Sequence, residues 1–346
     1  MGSDLLKIAV IGAGSWGTAI ATSLGKKEYE VSLWHRREEI INNIKEKREN
    51  TKYLPGITID ENIHPTVNLE EALIDAEVIV LAVSSQAVRN VCESLEPYVN
   101  SDQIIVNLAK GLEADTYLRL SQVINEVLPY NEVYVLSGPS HAEEVAKGIP
   151  TTVVVSGESR EKSEYLQEVF STDTFRVYTN PDIVGVELGG ALKNIIALGA
   201  GMSDGLGYGD NSKAALMTRG IVEISRLGKV LGAKSESFAG LTGIGDLIVT
   251  CTSMHSRNRR AGILLGEGKP LEDVLKEIGM VVEGINATKI AYQISNLYHC
   301  DMPITTAIYN VLYENADVKE VVNDMMTRKK KNEIEEINSL YYHGWK

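Results

Sequence analysis

Cysteine and histidine are scarce in this chain of 346 residues. Its three cysteines, Cys92, Cys251 and Cys300, are far apart and form no C-x-x-C pair, which excludes a disulfide framework and fits a reducing cytoplasm. The six histidines form no H-x-x-x-H or H-E-x-x-H pair, so we expect no metal site.

Long apolar runs and excess positive charge are also lacking. The longest apolar runs, such as 78–83, are too short to span a bilayer, and no signal peptide precedes the first predicted strand. We therefore expect no membrane insertion. The formal charge of −13 would repel a phosphate polymer, which argues against nucleic acid as a partner. If the chain binds small anions, it must concentrate Lys and Arg at that site.

Residues 7–17 contain the most informative pattern, a G-x-G-x-x-G motif between an apolar strand and a helix. Gly12 permits the turn, Gly14 lets backbone approach a pyrophosphate, and Gly17 lets helix and strand pack closely. The diphosphate would lie at free N–H groups on the positive end of the helix dipole. A chance glycine-rich turn is the alternative. The context predicts a nicotinamide or flavin dinucleotide site.

Alternating strand-like and helix-like segments predict a parallel sheet with helices on both faces in the first half. The predicted strands are 7–12, 30–34, 78–83, 103–108 and 133–137, extended by 151–155 and 175–178. The predicted helices are 15–27, 37–48, 69–75, 85–96, 116–127, 140–147 and about 160–170.

Helical periodicity dominates from about residue 183 onward. The predicted helices are 183–200, 212–231, 257–266, 271–278, 284–298, 302–314 and 317–326. We therefore expect an α/β chain with a Rossmann-type doubly wound parallel sheet followed by an all-helical domain. The predicted units are a dinucleotide-binding domain over 1–185, a helical substrate-binding domain over 186–335 and a tail over 336–346.

The second predicted strand ends in Trp-His-Arg-Arg at 34–37, without the acidic residue that NAD-selective folds usually carry there. Arg36 and Arg37 instead offer a cationic seat for a 2′-phosphate. Two surface arginines are the alternative. Arg36 favours acceptance of NADP.

Two loops after predicted strands are candidate ligand contacts, because ligands of open α/β sheets bind beyond the carboxyl ends of strands. Lys110 follows strand 103–108 and could meet an anionic substrate. Gly138 and Ser140 follow strand 133–137, where N–H groups could contact substrate or cofactor. A solvated lysine and a Ser-capped helix are the alternatives.

Lys193 lies on a helix face of small residues that includes Gly189 and Gly190. Two glycines inside a helix cost about 1 kcal/mol each relative to alanine, which indicates a steric reason for them. A crowded, partly buried lysine would have a lowered pKa and could exchange protons. A lysine that extends to water is an equally good reading from spacing alone.

Two further segments carry polar groups suited to small anions. Residues 240–247 form a glycine-rich turn ending in Asp246, with Thr250 on the same helical face. Asp246 could pair with a lysine, bind a substrate hydroxyl or cap a helix. Residues 256–260, beginning with Ser256, Arg257 and Asn258, contain three arginines and predict an anion clamp suited to phosphate. A solvated basic helix end is the alternative.

Together these motifs occur in the order typical of one family. The chain resembles the NAD(P)-dependent glycerol-3-phosphate dehydrogenases of bacterial type over residues 7 to about 326, through G-A-G-S-W-G, A-K-G-L-E, S-G-P-S-H-A, E-L-G-G-A-L-K-N, G-L-T-G-I-G-D-L and S-R-N. The resemblance implies reversible interconversion of sn-glycerol 3-phosphate and dihydroxyacetone phosphate with NADP or NAD. It also implies a role in glycerophospholipid synthesis.

The resemblance also assigns roles to single residues. Lys193 matches the proton-transferring lysine, and Thr250 matches a threonine near the reacting carbonyl. His35 stands at a variable position near the cofactor, and Asn194 lies in a motif without a clear role. The matching substrate-binding positions are Lys110, Gly138, Ser140, Lys193, Asp246, Ser256, Arg257 and Asn258. The matching cofactor contacts are Ser15, Trp16, Arg36, Lys110, Ala142, Arg257, Val281 and Glu283.

The mechanism implied is hydride transfer to C2 of dihydroxyacetone phosphate, with Lys193 donating a proton to the developing alkoxide. Lys110 would help stabilise the negative charge, Asp246 would hold Lys193, and the clamp would bind the phosphate. One alternative is a related two-domain dehydrogenase of a hydroxy acid, a ketopantoate-like compound or a sugar phosphate. Another is a non-catalytic dinucleotide sensor. A homodimer is compatible with a helical second half, but no motif requires one.

Overall fold

The computed structural model describes residues 5–330 and residue 333, and an eight-stranded sheet organises the first half. The strands are β1 (Lys7–Ile11), β2 (Glu30–Trp34), β3 (Glu49–Asn50), β4 (Leu54–Thr58), β5 (Ile63–Thr66), β6 (Val78–Leu81), β7 (Ile104–Asn107), β8 (Val133–Ser137), β9 (Thr151–Ser156) and β10 (Phe175–Asn180). The large sheet has the spatial order β10-β9-β8-β7-β6-β1-β2-β5, and β3 and β4 form a separate antiparallel pair.

Seven helices accompany these strands. They are α1 (Ser15–Gly25), α2 (Glu38–Lys47), α3 (Leu69–Leu73), α4 (Val88–Leu95), α5 (Leu120–Val127), α6 (Ala142–Ala146) and α7 (Arg160–Phe170). Both faces of the sheet are covered, so successive residues of β1 enter opposite cores. Ile8 and Val10 belong to one apolar cluster, whereas Ala9 and Ile11 belong to the other. Such two-sided burial explains the continuous apolar runs in the sequence.

The expected parallel sheet is confirmed for all its pairings except β8 with β9, which is antiparallel. The short α6 packs on α1, and Ser137 at the end of β8 faces Val154 within β9. Strand β9 therefore begins at the same end of the sheet at which β8 finishes. Strand β10 then pairs parallel to β9.

Three strands of the first half escaped prediction. Strand β5 lies at the sheet edge and contains Pro65, a position where proline is tolerated but weakens the strand pattern. Strands β3 and β4 form a short pair with an irregular register. The predicted helix 116–127 begins later, at Leu120, because Leu112 and Arg119 form a β-bridge across a turn in which Tyr117 has a positive φ of 62°.

The second half is helical throughout its described part. Its helices are α8 (Ile183–Gly205), α9 (Asp210–Val230), α10 (Ser235–Phe238), α11 (Asp246–Thr252), α12 (Arg257–Gly266), α13 (Leu271–Ile278), α14 (Glu283–Leu297), α15 (Pro303–Tyr313) and α16 (Val318–Thr327). The sequence predicted no bounds for α10 or α11, although it placed Asp246 and Thr250 on one helical face. Glycines precede α11, and they mask a helical turn over Leu241–Gly245 that leads directly into it.

Helix α8 is the central element of this half and is surrounded by α9, α11, α12 and α14. By length and composition it is apolar enough to cross a membrane, but most of it is buried inside the protein. It contains no long uninterrupted apolar run in the sequence, because Glu187, Lys193 and Asn194 interrupt it. Its burial marks it as a core helix.

The sheet ends at Asn180 and α8 begins at Ile183. The division into units at residue 185 stays a prediction. The predicted tail over 336–346 lies outside the described residues.

Candidate active site

The glycine turn after β1 has the conformation that its sequence predicts. Gly12 has a φ of +123°, and a Cβ atom there would lie 2.5 Å from the carbonyl oxygen of Ala82. Gly14 caps α1, and a Cβ atom there would have no neighbour within 4 Å. A Cβ atom on Gly17 would collide with the carbonyl oxygen of Gly12. The turn is therefore closed on its inner side and open at Gly14, as a pyrophosphate site requires.

Asn50 supports this turn, and sequence reasoning missed it. Its Nδ2 donates to the carbonyl oxygen of Ala13 at 3.0 Å and to Thr18 Oγ1 at 2.8 Å. Ser15 Oγ donates to the carbonyl oxygen of Tyr53 at 2.7 Å, next to the same β3–β4 pair. Asn50 lies in the unpredicted β3, so no sequence signal placed it beside the glycines.

The end of β2 presents Arg36 to solvent. Among the described residues Arg36 has no hydrogen bond or ion pair, whereas Arg37 lies 3.9 Å from Glu39. His35 is half-buried and its Nδ1 accepts a hydrogen bond from the Arg37 amide at 3.1 Å. Burial, assisted by Arg37, lowers the pKa of His35. Arg36 is thus the arginine of this pair whose guanidinium is free for an anion.

A buried ionic cluster lies where the sheet meets α8. Asp246, at the start of α11, accepts from Lys193 Nζ at 2.5 Å and from Lys110 Nζ at 2.8 Å. Lys193 Nζ also donates to Thr250 Oγ1 at 2.6 Å, and Lys110 Nζ donates to the carbonyl oxygen of Gly138 at 2.8 Å. One carboxylate therefore holds two ammonium groups from different halves of the chain.

Burial controls the protonation of this cluster. It lowers the pKa of Lys193 to about 8, even though Asp246 acts in the opposite direction, and Lys110 adds to the lowering. Burial alone would raise the pKa of Asp246, but Lys110 and Lys193 outweigh it and lower that pKa. The arrangement combines a stable anion with a lysine that titrates close to neutral pH, which suits proton transfer.

Gly189 and Gly190 have no room for a side chain, which is the steric reason expected for two glycines inside a helix. A Cβ atom on Gly189 would lie 2.8 Å from the Thr242 carbonyl oxygen, and one on Gly190 would lie 2.8 Å from Ser137 Oγ. These contacts bring the turn before α11 and the end of β8 onto α8. Lys193 can then reach Asp246 and remain buried.

The predicted clamp contributes fewer arginines than its sequence suggests. Arg259 pairs with Asp204 at 2.8 Å and is therefore neutralised, which corrects the expectation of three available arginines. Arg257 is half-buried and has no ion pair among the described residues. Burial lowers its pKa. Arg257 therefore remains available to receive an anion.

The other two clamp residues have structural partners. Ser256 Oγ caps α12 by accepting from the Arg259 amide at 3.2 Å. Asn258 Nδ2 donates to Asn194 Oδ1 at 2.9 Å, and its Oδ1 accepts from the Gly284 amide at 2.8 Å. Asn194 thereby gains a definite contact, joining α8 to α12.

The remaining candidates lie around the starts of α6 and α14. Glu283 begins α14 and accepts from Ser85 Oγ at 2.6 Å, which links the two halves. Ala142 is buried at the start of α6 in the cluster against which Trp16 packs, and Val281 is exposed. Ser140 Oγ donates to the Gly138 carbonyl oxygen at 2.9 Å. Sequence reasoning missed Ser85, which lies in a turn without a recognisable motif.

Within the described ranges, no group of three or more His, Cys, Asp and Glu side chains could hold a metal ion. The open glycine turn, the free arginine at the end of β2 and the buried lysine–aspartate cluster fit a dinucleotide and an anionic substrate. Fold and site therefore define a nicotinamide-dependent dehydrogenase built from a Rossmann sheet and a helical second half.

Comparison with known proteins identifies the family. Two family models match: the N-terminus of NAD-dependent glycerol-3-phosphate dehydrogenase over residues 7–163 and its C-terminus over 182–323. The chain belongs to the NAD-dependent glycerol-3-phosphate dehydrogenase family, which confirms the resemblance seen in the motifs.

Individual relatives agree with the family match. The chain is 57% identical over 327 residues to glycerol-3-phosphate dehydrogenase (NAD(P)+) of Clostridium perfringens strain SM101, covering 94% of this chain and 99% of the relative. It is 50% identical over 346 residues to that of Bacillus licheniformis, covering 99% and 100%. The crystal structure of glycerol-3-phosphate dehydrogenase from Coxiella burnetii is similar, with a TM-score of 0.90 and 36% identity over 94% of this chain and 99% of that one.

Proposed function

We propose that this chain catalyses the reversible reduction of dihydroxyacetone phosphate to sn-glycerol 3-phosphate with NADPH or NADH, supplying glycerol phosphate for glycerophospholipid synthesis. The observation that carries the proposal is the buried cluster in which Asp246 holds Lys193 and Lys110. Such a cluster belongs to an enzyme that moves a proton, whereas a dinucleotide sensor has no use for it.

The cofactor is NAD or NADP. Gly12, Gly14, Gly17, Ser15 and Trp16 surround the start of α1, where the pyrophosphate of either would bind. When bound, the nicotinamide supplies or accepts the hydride. The free guanidinium of Arg36 supports acceptance of the 2′-phosphate of NADP.

The chain's own residues manage the proton and the developing charge. Lys193 in its ammonium form would donate a proton to the oxygen on C2 during reduction, and neutral Lys193 would remove that proton during oxidation. Lys110 would stabilise negative charge on the same oxygen. Asp246 holds both nitrogens, and the Thr250 hydroxyl lies 2.6 Å from Lys193 Nζ.

The phosphate of the substrate would bind at Arg257, with Ser256 and Asn258 at the same end of α12. The half-buried, unpaired guanidinium supports this assignment, since a buried arginine without an acidic partner is stabilised by a bound anion. Binding energy at the phosphate would align C2 with Lys193. This phosphate seat favours a triose phosphate over a hydroxy acid or a ketopantoate-like compound.

The direct test compares NADPH and NADH oxidation with dihydroxyacetone phosphate, ketopantoate and unphosphorylated hydroxy ketones as acceptors. We expect rapid oxidation that depends on dihydroxyacetone phosphate. Folded protein that binds NADPH tightly but oxidises it with none of these acceptors would favour the sensor. Faster turnover with ketopantoate would favour the related dehydrogenase.

We also propose that the chain is cytoplasmic. The free, buried thiols of Cys92 and Cys251 support a reducing compartment. A homodimer remains a prediction, and sedimentation equilibrium would test it.

A further inference from the structure

Two histidines meet where the halves of the chain face each other. The rings of His141 and His255 lie with centroids 5.6 Å apart, tilted by 52°. His141 follows Ser140 in the loop between β8 and α6, and His255 precedes Ser256 in the loop between α11 and α12. The imidazole pair therefore joins two loops that both carry candidate substrate contacts.

His141 carries a polar atom that the described protein does not satisfy. Its Nε2 is buried and has no hydrogen-bond partner among the described residues. Leaving a buried donor or acceptor unpaired is unfavourable enough that such atoms in native proteins are rare and commonly mark a functional position. His255, in contrast, is exposed to solvent.

Burial favours the neutral form of the His141 ring. Burial lowers its pKa, and the nearby charge of Lys193 lowers it further, although Glu143, Glu144 and Asp246 oppose the shift. A neutral imidazole has one N–H donor and one acceptor nitrogen. His141 can therefore donate one hydrogen bond to a ligand without adding another buried positive charge beside Lys193.

The surroundings indicate which part of the substrate receives that hydrogen bond. In the proposed reaction Lys193 and Lys110 donate to the reacting oxygen, and Thr250 belongs to the same connected cluster. The neighbour of His141 across the ring contact, His255, lies two residues before Arg257. The ring contact thus places His141 against the loop that leads into Ser256 and Arg257.

We propose that His141 is a phosphate-binding residue whose Nε2–H donates to a phosphate oxygen of the phosphorylated triose, beside Arg257. The inference rests on the proposed function and adds a specificity contact from the sheet half to a phosphate seat that is otherwise built by α12. An unphosphorylated ketone would gain nothing from this contact.

The test uses His141→Phe, His141→Asn and His141→Gln in the full chain, with His64→Phe as a control on the edge strand β5. Phe keeps the ring without a donor, Asn is too short to reach the Nε2 position, and Gln places an amide N–H near it. We expect kcat/KM for dihydroxyacetone phosphate to fall about 10- to 100-fold in the Phe and Asn variants, as for a lost hydrogen bond to a charged group. Gln should recover most of that loss, and His64→Phe should match the wild type.

The second readout is kcat/KM for unphosphorylated dihydroxyacetone, measured at high concentration with the same proteins. It should be unchanged in every variant, because this acceptor has no phosphate. The Asn and Gln pair keeps the comparison intact if the bulkier Phe impairs folding.

Two results would overturn the inference alone: wild-type turnover with an unaltered kcat/KM in His141→Phe and His141→Asn, or an equal loss with both acceptors. Absence of wild-type turnover with dihydroxyacetone phosphate would overturn the proposed function and this inference together.

Discussion

Lys193 is the residue on which the proposed chemistry depends most directly. We expect Lys193→Met to lower kcat about 100- to 10,000-fold in both directions, because the acid and base of the reaction is removed. Binding of NADPH, measured by fluorescence titration, should persist because the glycine turn proposed to bind its pyrophosphate is formed by other residues. Lys289→Met, on the exposed side of α14, is the matched control and should retain wild-type kcat. Near-normal turnover in Lys193→Met would contradict the assignment.

The protonation of Lys193 predicts opposite pH profiles for the two directions. With its pKa lowered to about 8, the neutral amine needed for oxidation accumulates as pH rises through that value. The ammonium needed for reduction is lost over the same range. We therefore expect kcat/KM for glycerol 3-phosphate oxidation to rise towards a plateau above pH 8, and kcat/KM for reduction to fall there.

Asp246→Asn provides the control for this assignment. Because Asp246 raises the pKa of Lys193, its neutralisation should shift both profiles to lower pH. If the pH profiles of kcat/KM do not shift in Asp246→Asn, a group other than Lys193 controls the rate.

Arg36 provides a prediction about cofactor choice. We expect Arg36→Ala to lower kcat/KM for NADPH about 10- to 100-fold, as for lost charge-assisted contacts to the 2′-phosphate, and to leave NADH almost unaffected. Steady-state kinetics with both cofactors would measure the ratio. Lys45→Ala removes an exposed cation of α2 and should change kcat/KM with neither cofactor. An equal loss with NADH would indicate a structural role instead.

The sequence could nominate these residues because their local contexts are distinctive. Lys193 follows two helical glycines, and Asp246 and Thr250 are four residues apart on one helix face. It could not foresee that Arg259 is neutralised by Asp204, 55 residues away, or that Asn50 supports the glycine turn from an irregular strand. Both are contacts between distant segments that only the fold brings together.

At the scale of elements, α12 packs on α8 through facing glycines. A Cβ atom on Gly201 of α8 would be 2.8 Å from Gly262 Cα of α12, and one on Gly205 would be 2.9 Å from Gly266 Cα. The two helices therefore touch backbone to backbone. Such close contact leaves no room for a side chain at these four positions.

We expect Gly262→Ser to destabilise the protein by about 1–3 kcal/mol, because the new side chain forces the helices apart. Urea unfolding followed by circular dichroism would give the free energy of unfolding. Gly209→Ser is a matched control at the N-cap of α9, where a Cβ atom has no neighbour within 4 Å and serine is favoured. Equal effects of the two substitutions would disprove the packing argument.

The predictability of elements follows their burial. Strands β1, β6 and β7 could be predicted because both faces are covered and their residues are apolar except for Lys7 and Asn107 at the strand ends. Strand β5, with His64 and Pro65 at the sheet edge, has no such pattern. The antiparallel direction of β9 could not be predicted either, because its apolar run is compatible with both directions.

At the scale of the whole molecule, buried polar contacts join the sheet half to the helical half. Ser85 contacts Glu283, Lys110 contacts Asp246, and Glu187 of α8 contacts the start of α5. Because these links include proposed catalytic and cofactor groups, the contacts that hold the two halves together also assemble the site.

Glu187 makes the most buried of the links that lie outside the site. Its carboxylate accepts from the Ser121 amide at 2.8 Å, from Ser121 Oγ at 2.6 Å and from Arg119 Nη1 at 2.5 Å. Glu187→Gln would replace one acceptor oxygen by a donor that faces these donors, and Arg119 would lose its anion. We expect a loss of about 2–3 kcal/mol in the free energy of unfolding, measured in urea.

Glu168→Gln, at an exposed position of α7, is the control for Glu187→Gln and should leave stability within about 0.5 kcal/mol of the wild type. Because Lys193 lies on the same helix as Glu187, the weakened link should also raise KM more than it lowers kcat, since part of the substrate-binding energy must then hold α8 against the sheet half. An unchanged free energy of unfolding in Glu187→Gln would mean that apolar packing around α8, rather than this buried ion pair, holds the halves together.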